Sequence, residues 1–287
     1  MGLEPSPSKV TLARPSLNTT TVGVSAQAVL TALKPVVLFV DTFNGYFESD
    51  NAHAAMRVLQ AAGYQVHVAS KTQQGHGSDQ GHLCCGRTFL ANGMVDQARE
   101  HAQELLNALL PFAKRGIPIV GLEPSCLLTL RDEALVLGLG EEAHKVSEQA
   151  MLFEEFLARE AQAGRLDALK SKLEPTRQPI LLHGHCHQKA FGLMPPVLEV
   201  IRLIPGAKPQ LIESSCCGMA GSFGYEASHV DVSKAMAELS LLPAVRAEPD
   251  ALVVADGTSC RHQIADGAQR QAVHVAKLLS DHLKHHA

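Results

Sequence analysis

The chain has 287 residues, 46% of them hydrophobic, enough to bury a substantial core as one large domain or two small ones and too apolar to stay disordered over most of its length. Its 25 Lys and Arg face 29 Asp and Glu for a net charge of -4, and no basic run is present that would neutralise a phosphate backbone, which argues against a nucleic-acid partner. No stretch reaches the roughly 20 consecutive apolar residues of a membrane span, and residues 1–18 lack a charged and then apolar leader pattern. The expectation is therefore a cytoplasmic protein that meets a membrane only through partners.

Residues 1–34 are rich in Ser, Thr and Pro without a sustained period and read as a flexible N-terminal tail. Residues 36–40, Val-Val-Leu-Phe-Val, read as a buried parallel strand. Ala55, Met56, Val58, Leu59 and Ala62 then form a helical stripe that Gly63 closes, and residues 65–69 give the next strand. A Gly- and His-rich loop over 71–82 leads to Cys84-Cys85-Gly86. After it, Val95, Ala98, Ala102, Leu105, Leu106 and Leu109 mark a long amphipathic helix, and 117–122 the following strand. That strand ends in Glu123-Pro124-Ser125-Cys126. A cysteine thus stands where a parallel strand hands over to a helix, the place where open α/β sheets carry their sites.

Residues 141–173 read as helical linking structure ending at Pro175, and beyond it the scheme repeats. A strand at 180–183 leads to Cys186, a strand at 210–213 to Cys216-Cys217-Gly218 and a helix, and a strand at 251–255 to Cys260. Cys84 and Cys216 are 132 positions apart and Cys126 and Cys260 are 134 apart, so one unit has been duplicated with little slippage. The fold expected is α/β: two similar Rossmann-like lobes with parallel sheets, the first with its helical linker over 35–174 and the second over 175–287.

Seven cysteines, an odd number with two vicinal pairs, suit a disulfide framework badly and thiolate ligands in a reducing compartment well. In the second copy Cys186, Cys216, Cys217 and Cys260 offer four thiolates from three strand-end loops. Soft thiolates select zinc or iron–sulfur clusters, and three loops meeting at one sheet edge can surround a cluster. The run from Cys216 to Gly224 places a glycine at every third position ahead of a helix, where bare amides can approach an anion. A phosphate loop would need a Lys-Ser/Thr ending, which is missing, and would leave the cysteine pair unexplained. His183, His185 and His187 around Cys186 can ligate a metal, relay protons, lower the thiol pKa, or simply be hydrogen-bonded at a strand end. The first copy has Cys84, Cys85 and Cys126, but no cysteine near Asp41-Thr42-Phe43-Asn44 to match Cys186. Three readings stay open for it: a cluster with an oxygen ligand, a cluster with an open iron, or a degenerate half kept for folding.

These residues resemble the cysteine-rich "CCG" domain family, found in heterodisulfide reductase, in the iron–sulfur subunits of glycolate and lactate oxidation systems, and in anaerobic glycerol-3-phosphate dehydrogenase; the likeness runs over residues 36–280. Residues 41–48, 83–87, 121–126, 183–187, 216–224 and 255–260 are most similar to the C-terminal region of FAD-linked 2-hydroxyacid dehydrogenases. The resemblance implies an iron–sulfur cluster, of the 4Fe-4S or a noncubane type, bound by Cys186, Cys216, Cys217 and Cys260, with a second centre at Cys84, Cys85 and Cys126. It implies electron transfer from a flavoprotein dehydrogenase subunit, which would bring the FAD, to a ferredoxin-like or quinone-linked acceptor. With no FAD-binding domain and no ferredoxin-type cysteine run, the chain is expected to be a separate subunit or an excised fragment. The alternatives are a structural four-thiolate zinc site bracing an interaction surface, and a thiol or heterodisulfide reductase with an open iron.

Overall fold

The computed structural model describes residues 33–70 and 82–284. Among them, eight strands form two separate four-stranded sheets. β1 (Lys34–Phe39), β2 (Tyr64–Val68), β3 (Ile119–Gly121) and β4 (Ala150–Leu152) lie in the order β2-β1-β3-β4. β5 (Ile180–His183), β6 (Pro209–Leu211), β7 (Leu252–Ala255) and β8 (Ala272–Val273) lie in the order β6-β5-β7-β8. Every pairing is parallel, and the two orders are the same when each half is numbered by itself. The expected pair of duplicated α/β lobes is thus the fold.

The central strands bury both faces, which is why β1 and β5 read as apolar runs. Side chains alternate across a strand, and the cores follow that alternation. Val36 and Leu38 of β1 join Ile180 and Leu182 of β5 and Val254 of β7 in one core shared by the two lobes. Val37 and Phe39 face the opposite way, towards Leu105, Leu106 and Leu109 of the helix Val95–Ala113. Leu181, Val253 and Ala255 face a third core with Leu241, Val245 and Ile264. In the shared layer the helix Ser49–Ala61 packs on Val275–Asp281, and Phe153–Gln162 on Met194–Ile201. Each buried Val or Leu there contributes about 1.5–3 kcal/mol relative to exposure.

Two strands depart from the expectation. β4 interrupts the segment over 141–173 that reads as wholly helical, and β8 spans only two residues; runs this short show no period of their own. The tail over 1–34 lies outside the described residues except for Leu33 and Lys34, and Lys34 already belongs to β1. The Gly- and His-rich loop lies outside them up to His82.

The strand ends position the chemistry. Helices begin within a few residues of the C-terminal ends of β1, β3, β5 and β7, at Thr42–Tyr46, Pro124–Thr129, Cys186–Ala190 and Thr258–Ala268. Three of them are capped by side chains: Asp41 accepts from the Phe43 and Asn44 amides, Glu123 from Ser125, and His185 from His187. Caps of this kind hold the first helical turn, and the cysteines sit in or beside it.

Candidate metal centre

In the second lobe Cys186 is the first residue of its helix, Cys216 and Cys217 lie in the loop after β6, and Cys260 is in the first turn of Thr258–Ala268. The three loops bring the four thiols together. Contacts run as a chain from Cys186 to Cys216, on to Cys217, and from there to Cys260. Cys217 and Cys260 are buried, Cys186 and Cys216 half-buried, so the group reaches from the interior towards the surface. Gly218 takes φ +91°, where glycine is at ease, and its amide donates to Cys216 Sγ at 3.3 Å. The glycine run meets the expectation of amides close to sulfur. It leads first into a short 3-10 turn, Phe223–Tyr225, however, and the helix follows only at Val230–Glu238.

Two of the four thiols are held as thiolates by their neighbours. Contacts from Cys186 and then Cys217, with the amides of Gly218 and Ala220, hold the Cys216 thiol far below its usual range. Cys260 is also held well below, by Cys217 and, against the effect of burial, by His183 and His185. Cys186 and Cys217, the other members of these contacts, are pushed up. Thiolates are the form that binds metal.

The three histidines have different tasks. His185 Nδ1 accepts from the His187 amide at 3.1 Å and lies 3.9 Å from Cys186 Sγ, while its Nε2 is 3.4 Å from Ser125 Oγ of the first lobe. His187 Nε2 is 3.5 Å from Arg87 Nη2, beside the first Cys-Cys-Gly; burial, then His185 and Arg87, push its pKa down to about 4. His183 closes β5, and one of its ring nitrogens lies within 4.8 Å of Cys217 and Cys260 Sγ.

The first lobe repeats the geometry with different chemistry. Thr42 occupies the place of Cys186, first in its helix after the capping residue, and its hydroxyl contacts Cys84. Cys84 contacts Cys85, and Cys85 contacts Cys126. Amides of Gly86 and Arg87 donate to Cys84 and Cys85 Sγ at 3.4 Å. All three thiols are pushed up: Cys84 by its contact with Cys85 and by burial, Cys85 by its contact with Cys126. For Cys126 the Cys85 contact works downwards, but burial and the carboxylates of Asp41 and Glu123 carry it to about 12. Burial, with Asp41 beside it, raises Glu123 to about 8. Buried carboxyls therefore surround the first set of thiols, where histidines and Lys189, on the helix Cys186–Ala190 and close enough to feel all four thiols, surround the second.

Sequence reasoning assigns no role to Thr42, Glu123 or Lys189. The place of Thr42 opposite Cys186 was visible in the repeat; the others become site residues only through the fold. A second buried group, Glu154, Asp256 and His274, also has ligand-type atoms within 4.8 Å of one another. Its members come from three separate parts of the chain, and of them only Asp256 falls in a stretch, 255–260, that the sequence singles out.

The family model of the cysteine-rich domain matches residues 43–131 and again 180–265, one match in each lobe and each containing a Cys-Cys-Gly loop. The chain belongs to the cysteine-rich CCG domain family. It is 27% identical over 249 residues to one subunit of the anaerobic glycerol-3-phosphate dehydrogenase of Escherichia coli (strain K12), covering 86% of this chain and 59% of that protein. It is 28% identical over 234 residues to D-2-hydroxyglutarate dehydrogenase of the same organism, covering 80% of this chain and 21% of the relative. The D-2-hydroxyglutarate dehydrogenase of Pseudomonas putida is 25% identical over 265 residues, 90% of this chain and 24% of its own length. This CCG-family chain thus spans less than two thirds of the first relative and about a quarter or less of the other two.

Proposed function

We propose that the chain is an iron–sulfur electron-transfer component of a flavin-dependent dehydrogenase acting on a 2-hydroxy acid or a related alcohol, with a 4Fe-4S type cluster held by Cys186, Cys216, Cys217 and Cys260. The observation that carries this reading is the meeting of four thiols from three strand ends. One-electron exchange with a reduced flavin on a partner subunit is the chemistry such a bound cluster supplies. The residues fit the group: soft donors in the number a closed site needs, and a backbone amide already turned to Cys216 Sγ. Dehydrogenase names among the relatives support the setting, since one is called a subunit and others are long enough to hold further domains. The first lobe, with Thr42 in place of a fourth thiol and two buried carboxyls beside its cysteines, serves the fold and the lobe interface rather than holding the redox centre.

The test is iron, zinc and acid-labile sulfide content of protein purified without oxygen, followed by EPR before and after dithionite. Iron and sulfide in equal amounts with a reducible signal are expected. Cys216→Ser should lose them, and Cys84→Ser should keep them. Zinc without sulfide would replace the proposal with a structural module, and equal losses in both variants would show that the first lobe also holds metal.

A further inference from the structure

His183 is 1% exposed. Its Nδ1 lies 2.9 Å from the hydroxyl of Ser214, just past β6, and its Nε2 has no hydrogen-bond partner. Buried polar atoms are nearly always hydrogen-bonded, so such an atom beside two thiols calls for a reason. With Nδ1 taken by Ser214, Nε2 is the nitrogen left to face Cys217 and Cys260, whose Sγ atoms lie within 4.8 Å of the ring. Lys189, on the helix Cys186–Ala190, donates to Ser214 Oγ at 3.3 Å, to the Ser214 carbonyl, and to the Ser215 carbonyl at 3.4 Å. An ammonium only donates. With Ser214 Oγ receiving from Lys189, its own hydrogen can go to Nδ1, and in that tautomer the ring proton sits on Nε2. In the first lobe the last residue of the matching strand is Phe39, which has no proton to give.

We propose that Lys189, Ser214 and His183 form a hydrogen-bond relay ending in an N–H···S bond from His183 Nε2 to the thiolates of Cys217 and Cys260, and that this relay raises the reduction potential of the centre they hold. The inference rests on the iron–sulfur reading above and deepens it. Reduction adds negative charge to the centre and its thiolates, so a donor aimed at sulfur favours the reduced state over the oxidised one. His183 is a positioning and tuning residue here, not a ligand.

The experiment is an EPR-monitored redox titration of the full chain, with iron and sulfide content, for the wild type, His183→Leu, His183→Gln and Ser214→Ala. His183→Leu is expected to keep its iron and sulfide while its reduced-to-oxidised ratio at a fixed potential falls about tenfold, a negative shift of about 59 mV for one electron. His183→Gln, whose amide can donate, should recover part of the shift, and Ser214→Ala should move the midpoint the same way by less. Pulsed EPR with isotopically labelled histidine should show a weakly coupled nitrogen that His183→Leu lacks. A midpoint that ignores these variants in iron-replete protein overturns the relay. So does a strongly coupled, directly bonded nitrogen, or loss of iron from folded His183→Leu, because either makes His183 a ligand. Where His183→Leu does not fold, Ser214→Ala decides by the same midpoint. A wild type without iron and sulfide overturns the iron–sulfur reading itself, and the relay with it.

Discussion

Glu154 stands at the start of the helix Phe153–Gln162, 1% exposed, and neither of its carboxyl oxygens has a hydrogen-bond partner. Its neighbour Asp256 is well supplied: Oδ2 accepts from Gln188 Nε2 at 2.8 Å and Oδ1 from the Val275 amide at 3.0 Å. Burial, and after it the charge of Asp256, hold the Glu154 carboxyl well above its ordinary value of 4.5. An acid whose pKa folding raises keeps its proton better in the folded state than in the unfolded chain. Its stabilising effect is complete below the ordinary value and is lost as pH rises from there towards the folded value. Glu154→Gln has no proton to lose. Its stability relative to the wild type should therefore grow with pH, by at most about 1.4 kcal/mol per unit. Urea unfolding of both proteins at about pH 5 and about pH 8 measures this; a constant difference would show that Glu154 is ionised in the fold.

The Cys-Cys-Gly loop is the element that ties the thiol site to folding. A Cβ on Gly218 would come within 2.1 Å of the Ser233 carbonyl in the helix Val230–Glu238, at a φ of +91°. Gly221 has φ +68° but open space around it. Gly218→Ala should thus cost strain plus a backbone clash, more than about 2 kcal/mol, and Gly221→Ala strain alone, about 1 kcal/mol. Urea midpoints compare the two, and Gly218→Ala should also lower iron content; equal costs would place the burden on φ alone. Gly86 repeats the constraint, with a Cβ 2.4 Å from the Ala98 carbonyl. This much of the site was legible in the sequence, because glycine after two cysteines at a strand end has few other uses. β1 and β5 were legible for a related reason, being apolar runs buried on both faces. β4 and β8 were not: Ala150–Leu152 sits inside a run that reads as helical, Ala272–Val273 has only two residues, and both pair at a sheet edge, on β3 and β7. Nor could the sequence pair Thr42 with Cys84, or leave Glu154 without a partner, because both depend on which loops the sheets bring together.

The two lobes share one apolar layer, with β1 and β5 side chains in the same core, so neither lobe has a complete interior of its own. Polar links cross the same boundary. Glu123 of the first lobe accepts from the Ser125 amide at 3.4 Å and from the Thr258 amide of the second at 2.8 Å, and His274 Nε2 lies 3.0 Å from the Leu122 carbonyl. The charged link is Glu48 with Arg261. Arg261 is 5% exposed; its Nε donates to Glu48 Oε1 at 2.8 Å, its Nη2 to Oε2, and Thr258 Oγ1 donates to Oε2 at 2.6 Å. Burial works to raise the Glu48 carboxyl, and the Arg261 guanidinium outweighs it, holding the pKa below the usual range. Removing one partner strands the other: Glu48→Ala leaves a guanidinium buried with only the Ala255 and Asp256 carbonyls and the Thr258 hydroxyl to receive it. The expected cost is about 3–5 kcal/mol. Arg261→Leu should cost a similar amount, and the double variant less than the sum, with a coupling of about 0.5–3 kcal/mol. Because the lobes share their core, unfolding should stay a single transition in all four proteins, followed by fluorescence and circular dichroism in urea. Additive costs would mean that the ion pair contributes nothing across the boundary, and two separated transitions in Glu48→Ala would mean that the pair, rather than the shared apolar layer, makes the lobes unfold as one.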